Sequence, residues 1–178
     1  MKNINIFADT SIINRMCIEE KNDQYEEDRT FLSKILNLSI KNTHIKIFVN
    51  PSVKQEIKST PDQERREKLL NIFNRFHFTE FNKSIFGKTK KGKEKGITFP
   101  VNFLTLEEKR FCQELKQEMP SLTDDMKIIA DALFNKEIDI LLSVDHHIHE
   151  DLVKFLLKKG IKAKVFNPKK CFDYLRNL

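Results

Sequence analysis

Short apolar runs alternate along this chain with segments whose apolar residues recur at helical spacing. Residues 3–8, NINIFA, predict a strand, and Asp9, Thr10 and Ser11 follow it as turn or helix-capping types. From Asp28 the residues Phe31, Leu32, Ile35, Leu36 and Leu38 keep near-helical spacing. Residues 45–49, IKIFV, predict a second strand. Asn50 then caps and Pro51 opens a helix, which places Glu56 about two turns from the strand end.

The stripe Leu69, Leu70, Phe73 and Phe76 predicts a helix over 62–76, and Thr105 with Glu108 forms a capping box at the head of another over 105–119. Between them lies a glycine-punctuated lysine tract, residues 86–96, with the composition of a loop. A helix capped by Ser121 or Thr123 leads to a strand beginning DILLSVD at 139. Residues 150–160 predict a helix stopped by Gly160, residues 161–166 a strand, and residues 167–178 a helix started by Asn167 and Pro168. Strands alternating with helices, without internal repeats, predict an α/β fold: three-layer α/β/α with a mainly parallel central sheet. The expectation is a single domain over 1–178 with an inserted helical, lysine-rich segment at about 60–120.

Composition narrows the partners. With 33% charged and 39% hydrophobic residues and a mean hydropathy of −0.49, this is a soluble, lysine-rich globular chain. Its 32 basic and 26 acidic residues give +6 and a pI near 9.1, which favours an anionic partner such as nucleic acid. Cys17, Cys112 and Cys171 lack ligand or disulfide-framework spacing and suit reduced thiols. Asp9 arrives before a signal-peptide core could form, and no apolar run approaches membrane-spanning length. The expectation is a cytoplasmic protein without a membrane partner.

Acidic residues then acquire a common address. Asp9 and Asp145 end strands that right-handed crossovers would align at one sheet edge, and Glu56 is expected at the same edge. On the helix over 121–137, Asp125 shares the apolar arc of Ile128, Ile129, Ala132 and Leu133, whereas Asp124 falls outside it and stands as understudy. Four converging carboxylates repel one another unless a cation sits among them, and such hard oxygen ligands suit Mg²⁺ or Mn²⁺. The chemistry this suggests is phosphodiester hydrolysis. Thr10, Ser11 and Ser143 are expected to support the carboxylates by hydrogen bonds while also serving as caps.

Lys88, Lys90, Lys91, Lys93 and Lys95 read equally well as a phosphate-contacting arm and as a solvated loop. His146, His147 and His149 invite a zinc reading, but no further Cys or spaced His completes such a site. A contact from a histidine such as His147 to substrate phosphate fits better.

These residues resemble the motifs of the PIN-domain nucleases. IFADTSII is similar to the family's first motif, NPSVKQEI to the second with Glu56, DDMKIIADAL to the third, where the alignment favours Asp125, and LLSVDHHI to the fourth, with Ser143 where members carry Thr or Ser. The terminal VFNPKKCFDYL resembles the family's last strand and helix. The resemblance spans residues 2 to about 60 and about 121 to the end. It implies a PIN-like fold and a metal-dependent endoribonuclease of single-stranded or structured RNA, with Asp9, Glu56, Asp125 and Asp145 binding Mg²⁺ or Mn²⁺. Small bacterial members of the VapC type are dimeric toxins held by an antitoxin, so the partners implied are RNA, an antitoxin protein and a second copy of the chain. The chain departs from those compact toxins in its long middle. The alternative is a non-catalytic PIN-like module that binds RNA or protein. A phospho-aspartate phosphatase is disfavoured because Ser11 stands where a second Asp would be needed, and a receiver domain because its acidic pair would follow the first strand.

Overall fold

The computed structural model describes residues 3–19, 22–49, 54, 57–75, 79–80, 106–120, 129, 133, 138–161 and 164–178. Its first strand, β1, is Ile4–Ala8, as the alternation predicts. Ile4, Ile6 and Ala8 pack into one apolar cluster and Phe7 into a second, because successive side chains of a strand point to opposite faces. A strand buried on both faces belongs in the middle of a sheet, and β1 lies there.

Helices α1, Thr10–Cys17, and α2, Asp23–Lys41, lead to β2, Ile45–Val49. Helix α2 begins five residues before Asp28. Its first turn is polar and carries no apolar spacing, so the capping residue gives the only signal: the Asn22 side chain accepts from the Gln24 and Tyr25 amides. Helix α3, Gln63–Arg75, and helix α4, Leu106–Glu118, match the two predicted in the middle of the chain. Between them Thr79–Glu80 forms β3, a two-residue edge strand too short to show a period. Strand β4 is Ile140–Leu142, and the chain is helical from His146 through a π-helical stretch, Ile148–Leu152, into α5, Val153–Lys158. Gly160, at φ 69°, ends it in the left-handed region. Strand β5, Val165–Phe166, is shorter than predicted. In α6, Pro168–Arg176, the Asn167 side chain accepts from the Lys170 amide and Pro168 opens the first turn, as predicted. Lys54 and residues 57–59 are helical, and Ile57 is buried. Ile129 and Leu133 are helical as well. Asn50, Pro51, Thr105 and most of residues 121–137 lie outside the described residues.

The sheet runs in the order β3-β2-β1-β4-β5, and every pairing is parallel. One face buries Ile4, Ile6, Ile47 and Leu142 against apolar residues of α1, α2, α3 and α6. The other buries Phe7, Leu141 and Val165 against Phe111 and Leu115 of α4 and Phe155 and Leu156 of α5. Helical residues thus cover both sides of a parallel sheet, an arrangement compatible with a three-layer α/β/α sandwich. The two middle helices belong to these cores: Leu69 and Phe73 join the first, Phe111, Leu115 and Met119 the second. Among the described residues no helix is long and apolar enough to cross a membrane.

This strand order places the site. From β1 the sheet grows outward through β2 to β3, and the chain then returns to add β4 and β5 on the other side of β1. The order therefore reverses between β1 and β4, and such a reversal opens a crevice at the carboxyl ends of the strands. Ala8 pairs with Val49 on one side and Leu142 on the other, so Asp9 and Ser143 stand level at that crevice.

Candidate functional site

Asp9 occupies the N-cap position of α1, yet its side chain makes no capping hydrogen bond to that helix. The carboxylate turns instead into the crevice. Ser11 Oγ donates to Asp9 Oδ2 at 2.6 Å, and Ser143 Oγ donates to the same oxygen at 2.9 Å. Each hydroxyl also accepts from the loop after β4, Ser11 from the Val144 amide at 3.2 Å and Ser143 from the Asp145 amide at 3.0 Å. The two serine oxygens lie 3.2 Å apart with both protons directed at Asp9. Two short side chains thus tie the end of β1 to the loop that carries Asp145.

Asp9 is 3% exposed. Burial pushes its carboxyl above the ordinary carboxylate value, and the charge of Asp145 adds a smaller push in the same direction. The hydrogen bonds from Ser11, Ser143 and the Thr10 backbone oppose this without cancelling it. No Lys or Arg forms an ion pair with Asp9 among the described residues. A buried carboxylate so placed is stabilised by a cation or by a proton.

Strand β4 ends at Leu142, so Asp145, read from the sequence as ending that strand, sits three residues further on in a loop that orders the rest of the edge. Asp145 Oδ1 accepts from the His147 amide at 2.7 Å, an aspartate turn that starts the following helix. His147 Nδ1 lies 3.1 Å from Asp151 Oδ2, and that bond, with lesser help from Asp145 and other nearby acids, raises the His147 pKa. His149 Nε2 lies 2.5 Å from the Ser143 carbonyl oxygen. A carbonyl only accepts, so Nε2 carries the proton there. His146 Nε2 lies 3.6 Å from Glu150 Oε2, so the three histidines engage three different partners. The π-helical stretch begins at Ile148, between His147 and His149. Such stretches frequently accompany functional sites.

Sequence reasoning missed one buried pair near this edge. Arg15 Nε of α1 lies 3.4 Å from Asp28 Oδ2 of α2, and the guanidinium sits 3.6 Å over the Tyr25 ring. Burial raises the Asp28 pKa, while Gln24, Arg15 and His149 act to lower it. Asp28 stands on the apolar arc of α2 four residues before Leu32, a signal of the kind used for Asp125.

Of the residues singled out in the sequence, Asp9, Thr10, Ser11, Ser143, Asp145 and His147 are brought together at the crevice. Glu56, Asp124, Asp125 and Lys88, Lys90, Lys91, Lys93 and Lys95 lie outside the described residues. Among the described residues no three His, Cys, Asp or Glu side chains form a metal-holding group. The chain matches no family model and no curated protein.

Ser143 is fully buried and joins both carboxylate-bearing segments. Ser143→Ala leaves the Asp145 amide without this acceptor and Asp9 one donor short, an expected loss of about 1–3 kcal/mol. Chemical denaturation of the metal-free protein measures it.

Proposed function

We propose that this chain is a divalent-metal-dependent nuclease acting on RNA, built on a PIN-like fold. The observation that carries the reading is Asp9: a buried carboxylate without an ion-pair partner among the described residues, held at the strand-order reversal beside a second carboxylate. The donor set fits a hard divalent ion. Asp9 and Asp145 supply carboxylate oxygens, and Ser11 and Ser143 orient the first of them. Glu56 and Asp125 are proposed to complete the set from the motifs that carry them. Ile129, which shares the predicted arc of Asp125, is fully buried.

An Mg²⁺ or Mn²⁺ ion bound there supplies charge neutralisation for phosphoryl oxygens and acidifies water, the requirements of phosphodiester hydrolysis. The protein's own part is orientation. Ser11 and Ser143 fix Oδ2 of Asp9, and the Asp145 side chain is held from Oδ1 by the His147 amide. Exposed at the rim, His147 has a raised pKa and offers a proton-bearing ring to a phosphate. The formal charge of +6 favours an anionic polymer as substrate. By the same resemblance we propose an antitoxin protein as regulator and a second copy of the chain as partner, in the cytoplasm.

Purified protein incubated with single-stranded RNA and Mn²⁺ is expected to give cleavage products that EDTA abolishes. Asp145→Asn is expected to abolish them as well without altering the circular dichroism spectrum. RNA retained without products in Mn²⁺ identifies a binding module instead, and undiminished cleavage by Asp145→Asn removes this site.

A further inference from the structure

Helix α6 starts at the same sheet edge as the carboxylates, because Phe166 pairs with Leu142 in the register that sets Asp9 and Ser143 level. Its buried side, Cys171 and Leu175, faces the core. Its outward arc carries Lys169, Lys170 and Arg176 with one acid, Asp173, among them, all exposed, between two aromatic pairs. On the α2 side, Phe31 and Phe172 lie 5.6 Å apart. Lys34 Nζ sits 4.8 Å and 5.4 Å from their centroids, and Lys169 Nζ is 6.0 Å from that of Phe31. On the β5 side, Phe166 and Tyr174 lie 5.4 Å apart. Lys170 Nζ is 5.4 Å from the Phe166 ring, and Lys164 Nζ is 4.3 Å from the Tyr174 ring.

Every one of these four lysines is exposed and every one of the four rings half-buried. Lys169 pairs with Glu27 at 3.0 Å. Lys34, Lys164 and Lys170 form no ion pair among the described residues. Lysine stems commonly cover apolar rings, but four lysines and Arg176 gathered on one face outnumber its acids Glu27 and Asp173 and leave a net positive field that folding does not require. Phosphates on this face would meet ammonium groups, and the rings beneath would meet bases. A protein groove built for an acidic segment has no need of four rings under its cations.

We infer that the α2–α6–β5 face is a docking surface for single-stranded RNA that leads a strand to the carboxylate edge. Lys34, Lys164, Lys169 and Lys170 take the phosphates. This deepens the nuclease reading and rests on it for the substrate. It also gives part of the basic surplus a location among the described residues.

The test is the binding of a short fluorescein-labelled single-stranded RNA to the whole chain in EDTA, followed by anisotropy across a salt series. Changing Lys34, Lys164, Lys169 and Lys170 together to Gln is expected to raise Kd about 10- to 100-fold at low salt and to reduce the slope of log K against log salt by about 3. The same four changed to Arg keep binding. A control with equal charge removed from the exposed Lys41, Lys46, Lys58 and Lys116 keeps it within about 3-fold. Equal weakening by both Gln variants, or none by the first, overturns the proposal. So does displacement of the RNA by polyglutamate as effective as that by unlabelled RNA, which identifies an acidic protein as the occupant. Failure of the nuclease reading has a separate signature: intact binding with no cleavage in Mn²⁺.

Discussion

Asp9→Asn is expected to abolish RNA cleavage and, in the metal-free protein at neutral pH, to raise the melting temperature. These opposite effects share one cause. The loss of cleavage should reach about 10³-fold or more, beyond the roughly 10–100-fold that removing a group behind a metal ligand produces. The gain in stability follows from burial. The folded-state pKa of Asp9 is raised, so the native protein holds this proton more tightly than the unfolded chain does. That contribution is fully present below the unfolded carboxyl value and is lost as pH rises through the folded one. Wild-type protein in EDTA therefore loses stability over that window, and Asp9→Asn, which keeps an oxygen acceptor for Ser11 and Ser143 without the charge, does not. Each kcal/mol should appear as about 2–4 °C in a chain of this size. Melting curves of both proteins from pH 4 to 8 measure it. A variant less stable than wild type at pH 8 would show that Asp9 is held by structural partners and has no need of a cation.

Mn²⁺ is expected to raise the melting temperature of wild-type protein at neutral pH and to leave Asp9→Asn and Asp145→Asn nearly unmoved. A ligand that binds only the native state stabilises it by about 2.7 kcal/mol at one hundred times its Kd. At about 2–4 °C per kcal/mol this amounts to a shift on the order of 5–10 °C. The shift should shrink as pH falls, because protonation of Asp9 competes with the ion. Differential scanning fluorimetry with an Mn²⁺ titration reads the effect without depending on any RNA. Equal shifts in wild type and both variants would place the ion elsewhere on the protein.

Much of the architecture was legible in local patterns. Strands β1 and β2 carry clear apolar runs, and the structure returns the second with the boundaries read from it. The Asn167–Pro168 start of α6 and the Gly160 stop before β5 are local backbone devices and were equally readable. Strand β3 and the polar first turns of α2 left no period to detect. The π-helical stretch after Asp145 has no propensity signature of its own.

What the sequence by itself determined is therefore the inventory: an alternating α/β chain, an aspartate at the end of an apolar run near each terminus, and a basic surplus. These follow from backbone propensities and side-chain periodicities that act over a few residues. Tertiary structure alone decided the strand order, which brings Ser143 to Asp9 across 134 positions of chain and makes Asp9 and Asp145, one just past β1 and one in the loop after β4, neighbours. It also decided that Asp9 is buried rather than capping a helix, that Arg15 meets Asp28, and that lysines of two helices and the residue before β5 lie over aromatic rings on one side of the molecule. Charge proximity and desolvation depend on which elements pack together, and that is set by burying both faces of the sheet rather than by any short stretch of residues.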